Sequence, residues 1–177
     1  MASEDEDFTT FFQEFYPSLC RFLETLLGGR VALAQDLAQE SFLQLHRTAW
    51  STIAPEEARF WLYRVARNFA INEFRKTHTR HKYFDRVVEA MSPRPRNPEE
   101  EYETKERQRL VLDMWQCLPE DQRVALLLRE QEQLSYREIG TVLNISESKV
   151  KVDIFRARTA LREDWNRREK AYGNRQH

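Results

Sequence analysis

Within nine residues, Ser148, Lys149, Lys151, Val152, Phe155 and Arg156 combine hydroxyl, cationic and bulky apolar side chains. At about 100° per residue, Ser148, Val152, Phe155, Arg156 and Thr159 share one helix face, with Lys149, Lys151 and Arg162 at its flanks. The chemistry such a set can do is recognition of a DNA duplex. Long cations reach phosphates and guanine edges, and apolar groups meet thymine methyls. Val150, Ile154, Ala157 and Leu161 fall on the opposite stripe and are read as core. Asp153 lies nearer that stripe, so it is expected in an internal salt bridge, the other reading being acceptance of a hydrogen bond from cytosine. A merely solvated basic helix would carry a similar outer face.

A second constellation lies in FWLYRVARNFAINEFRK, residues 60–76. Trp61, Leu62, Val65 and Phe69 make the expected buried stripe. Arg64, Arg67, Ile71, Phe74 and Arg75 share the other side, with Tyr63 beside them and Asn68 and Asn72 at an edge. Arginines can hold a single-stranded backbone while rings offer π faces to unstacked bases, and an asparagine amide can read a flipped base. The alternative is a second core face. A third set occupies residues 33–49, where Ala34, Ala38, Phe42, Leu45 and Ala49 form a core stripe and Asp36, Gln39, Glu40, Leu43 and Arg47 face away from it. An exposed leucine among acids and amides suits a protein partner with basic groups; a solvated polar face with one stray leucine is the other reading.

Bond-making chemistry has no comparable support. The chain shows no paired carboxylates at a plausible site, no nucleophile with a base and no glycine-rich phosphate loop, so no enzyme activity, catalytic residue or cofactor is expected. No metal site is expected either: His78 and His81 are three apart but sit in a polar, basic run without further ligands. Cys20 and Cys117 lie in apolar helical patterns and are expected to be buried free thiols. No stretch approaches a membrane span, and an acidic start, EDED at residues 4–7, does not suit a secretory signal, so a cytoplasmic protein is expected.

The elements that must position these residues are helices. Apolar spacing is helical nearly throughout and only four glycines occur among 177 residues, so the expected fold class is all α. Ser135 and Glu138 have capping-box spacing at the start of a short helix. Gly140 is small where a second helix must approach, and Asn144 sits at a turn that wants a left-handed residue. Ile139, Leu143, Ile145, Val150 and Ile154 join the two helices, and the whole of residues 134–162 reads as a helix-turn-helix. Leu118-Pro119-Glu120-Asp121 reads as a helix start with proline at the first helical position. The net charge of −1 hides segregated blocks: residues 59–86 carry eight Lys/Arg against two acids, and residues 99–106 five glutamates against one lysine. Three prolines and the glutamate cluster in residues 91–103 predict a flexible acidic linker between two small helical domains.

Together these segments resemble the extracytoplasmic-function (ECF) group of the sigma-70 family of bacterial RNA polymerase sigma factors. AQDLAQESFLQL, residues 34–45, is similar to the segment of the family that docks on the polymerase clamp. WLYRVARN, residues 61–68, is similar to its promoter −10 segment, and LPEDQRVALLLREQEQLSYREIG with SESKVKVDIFRAR to its −35-binding domain. The resemblance implies a region 2-like domain over residues 8–85, a linker over 86–106 and a region 4-like domain over 107–170. It implies that Asp36, Gln39, Glu40 and Leu43 bind the clamp of the large subunit, and that Arg64, Arg67, Asn68 and Arg75 engage single-stranded −10 DNA. Ser148, Lys149, Lys151, Val152, Phe155 and Arg156 would enter the −35 major groove. Core RNA polymerase, promoter DNA and an anti-sigma factor are the implied partners, and the acidic linker would run in the RNA exit channel. Asn72 stands where the family usually has aspartate, Ser148-Lys149 where it often has Gly-Thr, and Val152-Asp153 where it often has Ser-Arg. Two other readings compete: a stand-alone helix-turn-helix regulator that acts without being a polymerase subunit, and a degenerate sigma-like protein that only sequesters a partner, the latter supported by Asp153 alone.

Overall fold

The computed structural model describes residues 2–84 and 110–173, and every regular element in them is an α-helix. In chain order these are α1 (Ala2–Leu26), α2 (Val31–Thr48), α3 (Pro55–Phe84), α4 (residues 110–116), α5 (Glu120–Glu130), α6 (Tyr136–Leu143) and α7 (Glu147–Gly173). The expected linker, residues 86–106, lies outside the described residues, as do the side chains of His78 and His81.

Helices α1, α2 and α3 pack on one another. Their contact is fixed by an aromatic cluster: Phe12 meets Phe42 edge-on with ring centroids 4.8 Å apart, and Phe8 and Phe11 each lie 5.1 Å from Trp50. Such pairs add directional energy to the area they bury. The expected α2 core stripe holds, with Ala34, Ala38, Phe42, Leu45 and Ala49 all buried. Between α1 and α2 the chain reverses at Gly28 and Gly29, whose φ of +70° and +85° are left-handed and strained for other residues. Gly29 donates from its N–H to the carbonyl of Glu24 at 2.8 Å, closing α1.

In the C-terminal half α5 packs on α6 and α7, and α6 on α7. Pro119 is the N-cap of α5 rather than its first helical residue, with ψ at 144°; the acids Glu120 and Asp121 do occupy the first turn, where the helix dipole favours them. The capping box of α6 is complete: Glu138 N–H donates to Ser135 Oγ at 3.2 Å, and Ser135 N–H donates to Glu138 Oε2 at 2.7 Å. These bonds hold the Glu138 carboxyl below its ordinary range. Asn144 is left-handed (φ 55°, ψ 47°), as its place in the turn requires. A Cβ on Gly140 would stand 2.8 Å from the carbonyl oxygen of Ile145, so its smallness is steric necessity. Ser146, which the sequence reading passed over, caps α7 by accepting the Lys149 N–H at 3.2 Å; its signal was a serine three residues before a lysine instead of a glutamate.

The two halves touch each other: α1 meets α5 and α3 meets α6. This contact corrects the expected division of α3. Its deepest line is Leu62, Ala66 and Ala70, while Trp61, Val65 and Phe69 are only half-buried. Tyr63 and Ile71, assigned to the exposed nucleic-acid side, are buried, and Phe74 is half-buried. The cause is packing on two sides, by α1 and α2 from one and by α5 and α6 from the other. Cys20 and Cys117 are free thiols, but neither is fully buried: Cys20 is half-buried, and Cys117 is exposed because the chain leaves α4 there before turning into α5.

Candidate nucleic-acid interface

Three surfaces carry the residues singled out in the sequence. On α2, Asp36, Gln39, Glu40, Leu43 and Arg47 are all exposed, with Leu43 at 47%. Their outward aim follows from the opposite stripe being clamped against the aromatic cluster. Leu43 is therefore an apolar side chain on a polar face with no intramolecular role in the core. Between α2 and α3 a groove of about 550 Å³ is lined by Leu37, Glu40, Phe69, Asn72 and Arg75, so the acidic face of one helix borders the cationic end of the other.

On α7, Val150, Ile154 and Ala157 are buried and Leu161 partly so, which turns Ser148, Val152, Phe155 and Arg156 to solvent. Phe155 is 71% exposed and Val152 44%, and hiding such groups from water is what a thymine methyl or sugar edge could do. Arg156 has no ion pair among the described residues. Lys149 and Lys151 are exposed but engaged: Lys149 Nζ lies 2.6 Å from Asp153 Oδ2, and Lys151 Nζ 2.7 Å from Glu147 Oε1. The Glu147 hydrogen bond and charge raise the Lys151 ammonium above its ordinary value. Asp153 is buried and occupied by Lys149, which is its expected internal salt bridge. The support it lent to a degenerate sequestering protein is thereby removed.

On α3, Asn68 and Arg75 are exposed, whereas Arg64 and Arg67 are half-buried against the C-terminal half. Arg64 donates from Nε to the carbonyl of Val142 at 3.1 Å and from Nη2 to the carbonyl of Thr141, capping the end of α6. Arg67 Nη2 is 3.1 Å from Asp121 Oδ1 and 3.4 Å from Glu120 Oε1. The Tyr63 hydroxyl donates to Glu132 Oε2 and lies 3.1 Å from Ser18 Oγ. Burial, then the neighbouring Glu132 charge, pushes the Tyr63 phenol well above its ordinary value. Arg59 donates to the Glu132 carbonyl at 2.8 Å, and its cation lies over the Phe15 ring. Sequence reasoning missed Arg59, Glu132, Gln116 and Arg123. Arg123 is buried and donates to the carbonyls of Leu118 at 2.9 Å and Leu26 at 3.4 Å, with burial lowering its pKa. The available signal was α3 itself, apolar over too much of its circumference for one buried face.

Among the described residues no group of three or more His, Cys, Asp or Glu is arranged to hold a metal, and no helix is long and apolar enough to cross a membrane.

Comparison with known proteins agrees with this arrangement. Residues 11–80 match the family described as Sigma-70 region 2, and residues 108–161 match Sigma-70, region 4. The chain is 30% identical over 161 residues to the ECF RNA polymerase sigma factor SigM of Bacillus subtilis, covering 88% of this chain and 93% of that one. It is 35% identical over 136 residues to the RNA polymerase sigma-H factor of Pseudomonas aeruginosa, covering 72% and 70%. In fold it is similar to the sigma factor RpoE of Bartonella quintana, solved with the anti-sigma factor NepR (TM-score 0.68, 22% identity, 89% and 96% covered). It is similar also to CnrH, solved with the cytosolic domain of CnrY (TM-score 0.68, 17% identity, 92% and 89% covered). A helix-turn-helix with a solvent-facing recognition helix, a basic-aromatic helix and an outward leucine on α2 thus occur in the order and over the span of one family: the chain belongs to the sigma-70 family of RNA polymerase sigma factors, in its ECF group.

Proposed function

We propose that the chain guides core RNA polymerase to promoters through three surfaces with separate tasks. Asp36, Gln39, Glu40 and Leu43 on α2 dock on the clamp of the large subunit. Ser148, Lys149, Lys151, Val152, Phe155 and Arg156 on α7 read the −35 duplex. Arg64, Arg67, Asn68 and Arg75 on α3 hold the −10 strand once it is opened, with Asn68 at the edge where a flipped base would be read. In this reading residues 8–85 and 107–170 are the two working domains and 86–106 the connection between them. The chain supplies no catalytic group; phosphodiester chemistry belongs to the polymerase, which places the protein in the cytoplasm. An anti-sigma protein is a further proposed partner, by analogy with the similar RpoE structure.

The observation that carries this reading is the α7 face, where Phe155 and Val152 stand in solvent beside Arg156 on a helix held rigid by the capped turn before it. Run-off transcription with core polymerase on genomic DNA tests it. Discrete transcripts that depend on this chain are expected, with permanganate-reactive thymines near −10. If the chain alone binds a palindrome tightly and no promoter is melted with polymerase, it is instead a stand-alone regulator.

A further inference from the structure

We propose that Val152 is a specificity-determining residue of the α7 face: it selects a C5-methyl group, as thymine or 5-methylcytosine carries, on the base edge that it meets in the −35 major groove. The proposal rests on the reading of α7 as the −35 surface and states what that surface requires of the DNA.

Val152 stands at the crest of the helix. At about 100° per residue it lies roughly 170° from the centre of the inward stripe of Val150, Ile154, Ala157 and Leu161, with Phe155 and Arg156 at equal angles on either side. Its side chain is 44% exposed and Phe155 is more exposed still, so the crest and one shoulder are apolar. Thr159, further along the same crest, donates its hydroxyl to the Phe155 carbonyl at 3.0 Å and so commits its proton to the helix itself. The isopropyl group of Val152 is not needed by the core, and it offers DNA neither a donor nor an acceptor.

The neighbouring polar groups do not take over the task. Asp153 follows Val152, but its side chain is only 6% exposed and its carboxylate lies 2.6 Å from Lys149 Nζ. A carboxylate that buried keeps its counter-ion, because losing it leaves an uncompensated charge in the interior. Asp153 is thereby withdrawn from base edges, and Lys149 reaches DNA with its charge offset. Lys151 is paired with Glu147 at 2.7 Å, but both side chains are about half-exposed, so that pair is worth little and a phosphate can displace it. Lys151 therefore serves the DNA backbone, which carries no sequence information. Ser148 and Arg156 remain for hydrogen-bonded readout, the first a turn before Val152 and the second on the shoulder opposite Phe155. The base edge beneath Val152 is left to an apolar contact.

One feature of a base edge favours such a contact. In the major groove thymine presents a C5-methyl group, whereas cytosine presents an amine that needs water or an acceptor. Val152 against the methyl removes two apolar surfaces from water; against the amine it strips hydration and returns nothing. A serine in its place would offer a hydroxyl that suits any base. Valine is the selective choice.

The test uses the holoenzyme, the full chain with core polymerase, on a promoter recovered by run-off transcription. Its −35 region is randomised, and bound duplexes are sequenced after selection with wild type and with Val152→Ser. Each thymine that wild type favours is then replaced singly by deoxyuridine, which removes the methyl and leaves every hydrogen-bonding group in place. Affinities are compared by mobility shift. At one thymine, wild type should bind the uracil duplex about fourfold more weakly, the factor for one methyl group taken out of water. The same factor should separate 5-methylcytosine from cytosine at that place. Val152→Ser should bind both members of each pair alike and lose the thymine preference there, whereas Val152→Ile should keep it. Arg156→Ala should weaken every duplex yet preserve the ratio. A thymine preference without any 5-methylcytosine preference would overturn the methyl as the determinant. A uracil penalty undiminished in Val152→Ser and absent from Phe155→Ala would move the readout to Phe155 and overturn the assignment. Selection that returns no −35 consensus with wild type refutes α7 as the −35 reader; a consensus without a uracil-sensitive position refutes Val152 alone.

Discussion

Gly140→Ala sets two physical rules against each other at one atom. In an exposed helix the change is stabilising by about 0.8–1.0 kcal/mol, because alanine loses less backbone entropy. At Gly140 the new methyl would lie 2.8 Å from the carbonyl oxygen of Ile145. That oxygen is backbone and cannot rotate away, and the same turn is tied by the Ile145 N–H donating to the Gly140 carbonyl at 3.1 Å. Overpacking typically costs about 1–3 kcal/mol, and a rigid obstacle belongs in the upper part of that range. Subtracting the propensity gain leaves a net loss of about 1–2 kcal/mol. At roughly 2–4 °C per kcal/mol for a chain of this size, the melting temperature should fall by about 2–8 °C. Thermal and urea unfolding followed by circular dichroism measure both quantities. Asn144→Gly should restore part of the loss in the double variant, since a freer left-handed turn can move Ile145 aside. A melting temperature that rises in Gly140→Ala would refute the close approach of α6 to the turn, and with it the placement of α7.

Leu43→Arg should abolish association with core polymerase in a pull-down while shifting stability by no more than about 0.5 kcal/mol, since Leu43 is half-exposed; a large loss of stability would put Leu43 in a core. Arg156→Ala should weaken −35 duplex binding by about 1–3 kcal/mol in a mobility-shift titration if Arg156 makes a bidentate base contact. Asn68→Ala should leave initial duplex binding by the holoenzyme nearly unchanged yet reduce permanganate reactivity near −10, and equal loss in both would contradict its assignment to the opened strand. Tyr63 has a raised pKa in the folded chain, so its contribution to stability is complete below the ordinary value of 10.0 and is lost as pH climbs beyond it. Ultraviolet phenolate titration should therefore show one late tyrosine in wild type that is missing from Tyr63→Phe.

What could be read ahead of the structure was local. The Ser135–Glu138 box, the left-handed Asn144 and the tight Gly140 each follow from bonds or contacts within a few residues, and each stands as expected. The α2 stripe was equally legible, because one face of that helix meets one neighbour. On α3 the same method assigned faces wrongly. Tyr63 is enclosed by Phe22 of α1 on one side and by Glu132 of the α5–α6 turn on the other, and no periodicity within α3 says which side a distant segment will cover. Glu132 and Arg123 were overlooked for the same reason: a lone acid or cation in a helical pattern reads as solvated until its remote partners are known. Pro119 missed by one position, since proline's fixed φ suits a cap as well as a first helical residue.

Most polar links between the two halves join a side chain on one to a main-chain carbonyl on the other: Arg64 to residues 141 and 142, Arg59 to 132, Gln116 to 25 and 26, and Arg123 to 26. Carbonyls do not change when a residue is substituted. Positions 26, 141 and 142 can therefore drift in sequence without losing these acceptors, while Arg59, Arg64, Gln116 and Arg123 cannot be exchanged without losing a donor, nor Glu132 without losing the acceptor of Tyr63. Mutational tolerance across this joint is lopsided, and pairwise covariation, which needs both partners to be side chains, would leave most of it unmarked.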